Sequence, residues 1–373
     1  MGGSGSAAAE AEFGPVMSLQ RMVSIPSPTG GEGELADYLV GTARRLGLAA
    51  WRDEVGNFVA ERTPGGTTRS AAGAGSPTVL LLGHMDTVPG MLPVRLRDGV
   101  LHGRGAVDAK GPLAAMIWAA AKHSNRTARV RVVGAVGEEG DSPGARHLLA
   151  EDRPDAVVIG EPSGVGNVVL GYKGVIWFKL EITRPARHSS RPEPKAVEVA
   201  VEFAHDVRAY VTAHAAGDRM FDRPIATVTE LTGTSTGARV VLGCRTPIGF
   251  DSKAFRTWLR DRAGDDELTV IEEVPAVLSS RTDPMVAALS QAVGRFVGRP
   301  TAKVKLGTSD MNVVGPVWSV PIAAYGPGDS RLDHTDEERI EVAEFLTSID
   351  VLSHALDLVS ETLARRHAAV RPC

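Results

Sequence analysis

The segment "TVLLLGH", residues 78–84, decides the fold, because it is a continuous apolar run that ends in a histidine. Such a run is typical of a strand buried on both faces, as the strands of parallel sheets are. Two further apolar runs follow, "ARVRVVGAV" (128–136) and "DAVVIG" (155–160), with helical segments at 111–123 and 144–151. Strands that alternate with helices at this spacing predict an α/β fold with a layered sheet.

The segments before this region extend the same fold. We expect a helix over 31–47, where apolar residues recur at helical spacing, then short strands at 49–54 and 57–62. A loop rich in Gly, Ser and Thr follows at 64–76. Residues 1–16 are mostly small and lack the charged and apolar regions of a secretory signal, so we interpret them as an expression leader.

A different pattern begins near residue 174. The segment "VIWFKLEI" (175–182) alternates apolar and polar residues, as a half-exposed antiparallel strand does. After it we expect a helix at 194–213, strands at 224–231 and 238–243, a helix at 251–263 and a strand at 268–274. This β-α-β-β-α-β order predicts a ferredoxin-like α+β domain.

These patterns predict two domains, because 373 residues exceed one ordinary core. One α/β domain would comprise residues 17–173 and 281–373, and an inserted α+β domain would occupy 174–280. The α/β domain would end in a helix over 336–362.

Composition excludes several classes of function. A formal charge of −4 argues against nucleic acid as a partner, since that would call for a strongly basic face. No apolar run approaches the roughly 20 residues that span a bilayer, so we expect no membrane insertion. Only two cysteines occur, Cys244 and Cys373. They form neither a disulfide framework nor a thiolate metal site, and they indicate a reducing cytoplasm.

Side chains with metal-binding chemistry follow the predicted strands, where the functional groups of an open α/β sheet collect. They are His84 with Asp86, Asp108, the adjacent Glu138 and Glu139, Glu161, and His334. In an extended segment Asp86 lies on the same side as His84, so its carboxylate can accept from the imidazole and fix its tautomer.

Each of these residues also has a purely structural interpretation. A histidine after a strand is often structural, and two adjacent glutamates often form a solvated turn. Asp108 could cap the helix that begins at 111, and Asp336 with Glu338 could be acidic residues of the last helix's first turn.

Taken together, the residues indicate more than structure. Two imidazoles and three carboxylates without thiolates suit a pair of divalent ions such as zinc. Two such ions carry +4, which three carboxylates and one bridging hydroxide would balance. One glutamate of "GEEG" would then bind metal, and the other would manage the proton of the shared water.

Five motifs in this order closely resemble a family of di-zinc metallohydrolases. The motifs are "GHMDTVP" (83–89), "GRGAVDAKG" (103–111), "GEEG" (137–140), "GEPS" (160–163) and "LDH" (332–334). The family includes carboxypeptidase G, aminoacylase, acetylornithine deacetylase and succinyl-diaminopimelate desuccinylase, and the resemblance covers nearly all of residues 17–362. It implies a metallopeptidase-like α/β catalytic domain with an inserted lid and dimerisation domain.

The resemblance also implies roles for the residues. His84 and Glu161 would hold one Zn²⁺, and Glu139 and His334 the other, with Asp108 bridging them; Co²⁺ or Mn²⁺ could substitute. Asp86 would orient His84, and Glu138 would be the general base. In "RPARHSSRP" (184–192), His188 matches a histidine that crosses from the partner subunit of a homodimer to stabilise the oxyanion. The alternative is a histidine of a surface loop.

The segments "GYKG" (171–174) and "GTSDMNVVGP" (307–316) most resemble one branch of the family. That branch releases lysine or ornithine from the C-terminal glutamate of a small acidic amino-group carrier protein. The predicted substrate contacts are Lys173, Arg245, Thr308, Asp310 and Asn312. Arg184, Arg187 and Arg191 could attract the acidic carrier, or they could belong to a solvated loop.

Two other functions remain open at this point. The enzyme could act on small molecules, as an N-acyl amino acid deacylase of the acetylornithine or succinyl-diaminopimelate type, or as a dipeptidase or carboxypeptidase. It could also be a non-catalytic scaffold, although a scaffold would have lost ligands that are intact here.

Overall fold

The computed structural model describes residues 13–63, 76–124 and 127–370. The predicted loop lies outside the described residues except for residue 76, and so does the predicted leader up to residue 12. The first helix already begins at Pro15, and the ring of Phe13 lies 5.6 Å from that of Trp118. The end of the predicted leader is therefore part of the folded chain.

The helices and strands are numbered along the chain. The helices are α1 (Pro15–Ser24), α2 (Gly33–Arg45), α3 (Lys110–Lys122), α4 (Pro143–Leu148), α5 (Ala196–Ala213), α6 (Ser252–Ala263), α7 (Pro284–Phe296), α8 (Asp310–Trp318) and α9 (Val342–Val370). The strands are β1 (Ala49–Arg52), β2 (Phe58–Arg62), β3 (Thr78–His84), β4 (Arg95–Arg97), β5 (Val100–His102), β6 (Arg129–Ala135), β7 (Ala156–Ile159), β8 (Asn167–Tyr172), β9 (Gly174–Thr183), β10 (Ile225–Gly233), β11 (Gly237–Thr246), β12 (Glu267–Val274), β13 (Val277–Leu278), β14 (Thr301–Lys305), β15 (Ile322–Ala324) and β16 (Arg339–Glu341).

The chain divides into two compact units. The first contains the described residues up to Leu170, then Ser279–Lys303 and the chain from Ser309 onward. The second contains Gly171–Leu278 and Val304–Thr308.

The main sheet of the first unit has the strand order β1-β2-β6-β3-β7-β15-β8. Strand β3 lies parallel to β6 and β7, and β15 lies parallel to β7. Every residue of β3 after Thr78 is buried, which confirms the α/β prediction made from this run. His84 pairs with Ala135 in register, so the carboxyl ends of β3 and β6 lie side by side. The residues that follow these two strands are therefore neighbours.

The second unit contains an antiparallel sheet with the order β10-β11-β9-β12, against which α5 and α6 pack. The chain passes through β9, α5, β10, β11, α6 and β12, as the ferredoxin-like prediction requires. The ring of Phe178 packs edge-on against Phe203 and Phe255. The sheet and both helices thus contribute aromatic side chains to one apolar core, since Phe178 lies in β9, Phe203 in α5 and Phe255 in α6.

One prediction about a helix start is wrong, and so is the structural alternative for Asp108. The last helix begins at Val342 rather than 336 and ends at Val370, because residues 339–341 form β16 and pair with β5. Asp108 does not cap α3, since Ala109 occupies the N-cap position and no side chain caps it.

Among the described residues, we find no helix whose length and apolar character would let it cross a membrane.

Candidate metal centre

Asp108 lies at the centre of the cluster and faces both histidines. Its Oδ1 lies 3.3 Å from Nε2 of His84, and its Oδ2 lies 3.1 Å from Nε2 of His334. One carboxylate thus presents a separate oxygen to each imidazole, which is the arrangement that a ligand shared by two metal ions requires.

Each imidazole also has a carboxylate of its own. Glu161 Oε1 lies 3.8 Å from His84 Nε2, and Glu139 Oε1 lies 3.0 Å from His334 Nε2. The possible ligand atoms of His84, Asp108 and Glu161 lie within 4.8 Å of one another, and so do those of Asp108, Glu139 and His334. The structure therefore brings the five predicted ligands together in two overlapping groups of three.

The turn that carries Glu138 and Glu139 is held by side chains from distant parts of the chain. Asn57 Oδ1 accepts from the backbone N–H of Val136, and Glu32 Oε1 accepts from that of Gly137. Asp86 accepts the next two, with Oδ1 from Glu138 and Oδ2 from Glu139, each at 3.0 Å. Four successive N–H groups are thus satisfied, which fixes the backbone from which both glutamates project.

Asp86 therefore does more than the sequence predicted. Its carboxylate lies 3.4 Å from Nδ1 of His84, but the nearer partner of that nitrogen is the Asp86 backbone oxygen, at 3.0 Å. Thr29 Oγ1 also donates to Asp86 Oδ2, at 2.9 Å. Burial raises the pKa of Asp86, but the hydrogen bonds and the charge of His84 outweigh it and hold that pKa below its usual value.

Glu338 holds the loop that carries Asp108. Its Oε1 accepts from the backbone N–H groups of Val107 and Asp108, and its Oε2 accepts from Arg104 Nη1 at 3.0 Å. Glu338 is 1% exposed. Its interpretation as a charge in the first turn of the last helix is wrong, because no helix begins there and the carboxylate is turned inward.

The electrostatics of the cluster fit bound cations. Burial raises the pKa of Glu138, and the charges of Glu161, Asp310 and Asp108 raise it further, although His84 opposes them. Crowded acidic groups of this kind are costly to bury unless cations or protons compensate them. Imidazole and carboxylate donors are those that zinc and similar ions take, so the residues present suit a pair of divalent ions.

The imidazoles compensate part of this negative charge. Burial alone would lower the pKa of His84, but the charge of Glu138 and hydrogen bonds with Asp108 and Asp86 raise it well above its usual value. Hydrogen bonds with Asp108 and Glu139 raise the pKa of His334 to about 10. Opposite charges at this distance favour the charged forms on both sides.

The predicted substrate contacts fall in different places. Arg245 Nη1 donates to Thr308 Oγ1 at 3.1 Å, so the structure brings these two residues together in the second unit. Lys173 is fully buried, and its ammonium group donates to the backbone oxygen of Arg223. Burial lowers its pKa to about 8.

Asp310 and Asn312 lie at the start of α8. The side chain of Asn312 accepts from the Ser309 N–H at 2.9 Å and so belongs to a capping box. Asp310 is 2% exposed, and its carboxylate lies beside the side chain of Ser142. Burial raises its pKa to about 6, and the nearby His84 and Ser142 lower it.

His188 and the arginines around it lie in the second unit. The His188 residue is exposed, and its Nδ1 lies 2.8 Å from Ser190 Oγ. Arg184 forms two hydrogen bonds with Asp266, and Arg187 pairs with Glu193 at 3.3 Å. Two of the three arginines predicted to attract an acidic carrier thus already have acidic partners.

The sequence and the fold are similar to those of known proteins. The model of peptidase family M20/M25/M40 matches residues 80–358. A Thermococcus kodakarensis protein with the provisional name LysW-lysine/LysW-ornithine hydrolase is 38% identical over 355 residues, 94% of this chain and 93% of its own. A Deinococcus radiodurans protein named LysW-lysine hydrolase is 38% identical over 358 residues, 91% of this chain and 95% of its own.

A solved structure from Bacillus subtilis, described as a dinuclear metal binding peptidase from the M20 family, shares the fold. Its TM-score is 0.69 at 16% identity, and the match covers 93% of this chain and 98% of that one. The chain therefore belongs to peptidase family M20/M25/M40, whose members hydrolyse carbon–nitrogen bonds.

Proposed function

We propose that this protein is a zinc-dependent amidohydrolase that releases a lysine- or ornithine-like amino acid from a carrier protein. The substrate bond would join the amino acid to the C-terminal glutamate of a small acidic amino-group carrier, the LysW of the relatives' names. The observation that carries the proposal is Asp108, whose two oxygens face two histidines that each have a further carboxylate beside them.

The proposed metal content is two Zn²⁺ ions, with Co²⁺ or Mn²⁺ as substitutes. His84, Glu161 and Asp108 would hold one ion, and Glu139, His334 and Asp108 the other. When bound, such a pair would lower the pKa of a shared water and polarise the amide carbonyl.

Glu138 is the proposed general base. Its side chain is 13% exposed, and its Oε2 lies 3.9 Å from His84 Nε2. Glu138 belongs to neither of the two groups around Asp108, although its carboxylate lies close to His84 and Glu139. Glu138 would take a proton from the attacking water and later give it to the leaving amine. A carboxylate whose pKa is raised by burial suits both steps, and Asp86 fixes the backbone from which it acts.

His188 is the proposed donor to the oxyanion, supplied by the partner subunit of a homodimer. The Ser190 N–H donates to Nδ1 of His188 at 3.3 Å, so that nitrogen is an acceptor. In the neutral ring the proton must then lie on Nε2, which can donate to a developing negative charge. The spacing His-x-Ser thus supports the tautomer that this role needs.

Arg245 is the proposed partner of the carboxylate of the released amino acid, positioned by Thr308. A lysine ammonium group is the proposed partner of Asp310, whose carboxylate is buried and bears no cationic side chain in an ion pair among the residues described. We place the enzyme in the cytoplasm, where Cys244 would remain a thiol, as it is here.

The substrate proposal is tested by comparing kcat/KM for LysW carrying lysine with kcat/KM for Nα-acetylornithine. We expect at least a hundredfold preference for the carrier-linked substrate. A preference for acetylornithine would instead identify a small-molecule deacylase of the same family.

The base assignment is tested by Glu138→Gln. We expect both metal ions to remain, while kcat falls by several orders of magnitude. The matched control is its neighbour Glu139→Ala, which should lose one ion because it removes a ligand. Full activity of the Glu138→Gln variant, or two ions in the Glu139→Ala variant, would overturn these roles.

A further inference from the structure

Ser142 has a strained backbone conformation at the end of the turn that carries Glu138 and Glu139. Its φ is +52° and its ψ is +48°, which lie in the left-handed region. A residue with a Cβ atom is disfavoured in this region, where glycine is the default residue. Strained residues cluster at functional sites, where the surrounding structure maintains them. The Ser142 side chain should therefore have a role that glycine could not fill.

The local structure around Ser142 does not explain the serine. Ser142 precedes α4, but among the described residues its side chain makes no capping hydrogen bond to that helix. Its backbone groups are satisfied without the side chain. The Ser142 N–H donates to the Gly137 oxygen at 2.8 Å, and the Ser142 oxygen accepts from the Arg146 N–H at 3.0 Å. Glycine would form the same two hydrogen bonds with less strain.

The Ser142 side chain lies beside the carboxylate of Asp310, the first residue of α8. Both residues belong to the first unit, in which α4 and α8 pack against each other. Ser142 is 8% exposed and Asp310 is 2% exposed, so water hardly reaches either residue. Burial raises the pKa of Asp310, and the side chain of Ser142 is among the groups that lower it. The Ser142 hydroxyl thus favours the ionised carboxylate, as a hydrogen-bond donor does.

Asp310 also lies near the groups of the metal centre. Burial is the main cause of the raised pKa of Glu138, and the charge of Asp310 adds to it. The charge of His84 in turn acts on Asp310. In the part of the chain that the structure describes, Asp310 forms no ion pair with a lysine or an arginine. A buried carboxylate without such a pair is costly unless a cation compensates it, and the side-chain ammonium group of a bound substrate would supply that cation.

We infer that Ser142 is a positioning residue for substrate specificity, which holds the Asp310 carboxylate in place for the side-chain ammonium group of the released amino acid. The inference rests on the proposed function, in which Asp310 is the partner of that group. A carboxylate has two oxygens that accept several hydrogen bonds, so the hydroxyl and the ammonium group can bind it together. The strain at residue 142 persists because glycine, which would relieve it, has no hydroxyl to donate.

The test compares Ser142→Ala with Ser142→Gly in the full-length enzyme. Both substitutions remove the hydroxyl, but only glycine relieves the left-handed strain. The substrates are LysW carrying lysine and LysW carrying norleucine, whose side chain has the same four carbons without the ammonium group. The matched controls are Ser319→Ala and Ser319→Gly. Ser319 follows α8, is exposed, and has nearly the same backbone conformation, with φ +50° and ψ +45°.

We expect the wild type to prefer LysW-lysine in kcat/KM by at least about a hundredfold, because a site built for a polar group rejects an analogue that lacks it. Both Ser142 variants should lower this preference about tenfold through a higher KM for LysW-lysine, while kinetics with the norleucine substrate stay within about twofold. Ser142→Gly should nevertheless unfold at a higher urea concentration than Ser142→Ala. The Ser319 variants should show the same order of stability and an unchanged preference.

Two kinds of failure can be told apart. If both Ser142 variants keep the wild-type preference, or if only the less stable Ser142→Ala loses it, the inference is wrong. The variant Asp310→Asn then decides about the proposed function, which stands if this variant loses the preference for lysine. If the wild type does not prefer LysW-lysine to LysW-norleucine, the proposed partner of Asp310 is wrong and the inference fails with it.

Discussion

The two halves of the candidate metal centre use the same ligand types in different surroundings. The inner half, His84 and Glu161, lies at strand ends, and the His84 side chain is 2% exposed. The outer half, Glu139 and His334, joins a strand-end turn to a loop, and the His334 side chain is 50% exposed. His334 also has a φ of +63°, a left-handed conformation that residues other than glycine seldom adopt.

This difference indicates how each half is built. The inner half is positioned by sheet register, since His84 is the last residue of β3 and β3 is buried between β6 and β7. The outer half depends on individual hydrogen bonds, such as that from the Glu139 N–H to Asp86. Asp108 faces both halves. The comparison can therefore be tested by substituting Asp108 first, then the histidine of each half, and then the residues that hold the ligands in place.

The largest effect is expected from Asp108→Asn. Asparagine offers one oxygen in place of two, so it can serve one half but not both. We expect at most one bound ion per chain and a fall in kcat/KM of at least roughly 10³-fold, which corresponds to about 4 kcal/mol. Metal analysis and kinetics measure these quantities.

The control for this variant is Asp336→Asn, because the Asp336 side chain is 96% exposed and lies near the same loop. It should keep both ions and its activity. Two ions in Asp108→Asn would show that the halves do not share this ligand.

The second prediction compares His84→Ala with His334→Ala in the metal-free proteins. His84 Nε2 lies within 3.9 Å of the carboxylates of Asp108, Glu138 and Glu161, all at most 13% exposed. Removing the imidazole leaves these buried acids uncompensated, so the free energy of unfolding should fall by about 3–5 kcal/mol.

The half-exposed His334 should contribute about 1 kcal/mol or less to the same quantity, because solvent screens its ion pairs. Urea denaturation of both variants at one pH measures the difference. Equal losses would mean that the two halves do not differ in burial energetics.

The difference between positioning by strand register and positioning by individual hydrogen bonds also explains which features the sequence could predict. Strands and their ends are visible as apolar runs, so the α/β fold, the inserted α+β fold and the neighbourhood of His84, Glu139 and Glu161 were accessible. The supports were not, because a side chain that accepts a backbone N–H leaves no periodic pattern. Glu338 is 231 positions from Val107, and Glu32 is 105 positions from Gly137.

Lys173 and Asn312 show a second limit, because the sequence did not indicate the contacts that their side chains make within the protein. The family resemblance indicates Lys173 as a substrate contact, and the structure adds that this residue is buried and that its ammonium group donates to a backbone oxygen. Asn312, also a predicted substrate contact, accepts the backbone N–H of the N-cap residue Ser309. Chemistry inferred from residue type does not state which way a side chain points.

The third prediction concerns Asp86, which supports both halves through two oxygens. Asp86→Asn keeps one acceptor and turns an amide donor toward the N–H of Glu138 or Glu139. We expect kcat to fall about 10- to 100-fold while KM is unchanged, as for residues that orient metal ligands.

The matched control is Asp283→Asn, because Asp283 also accepts two backbone N–H groups, those of Met285 and Val286, at a helix start. The Asp283→Asn variant should have an unchanged kcat, and any effect should be a lower free energy of unfolding. An equal fall in kcat for both variants would mean that Asp86 affects activity only by stabilising the fold, and not by orienting the metal ligands.

The smallest effect is expected from Thr29→Val. This substitution should change the metal affinity of the outer half and leave that of the inner half unchanged. Thr29 donates to Asp86 Oδ2, the oxygen that holds the Glu139 N–H, and not to Oδ1, which holds the Glu138 N–H. Losing one hydrogen bond to a carboxylate costs about 1.5 kcal/mol or more. Only part of this loss reaches the metal ligand Glu139, so the outer ion should bind about fivefold more weakly, which corresponds to about 1 kcal/mol. The inner ion should bind as before, because Thr29 reaches Oδ2 of Asp86, whereas His84 Nδ1 lies next to the Asp86 backbone oxygen and Oδ1. Calorimetric titration of the metal-free variant resolves the two sites, and equal weakening of both would mean that Asp86 acts on the centre as a single rigid unit.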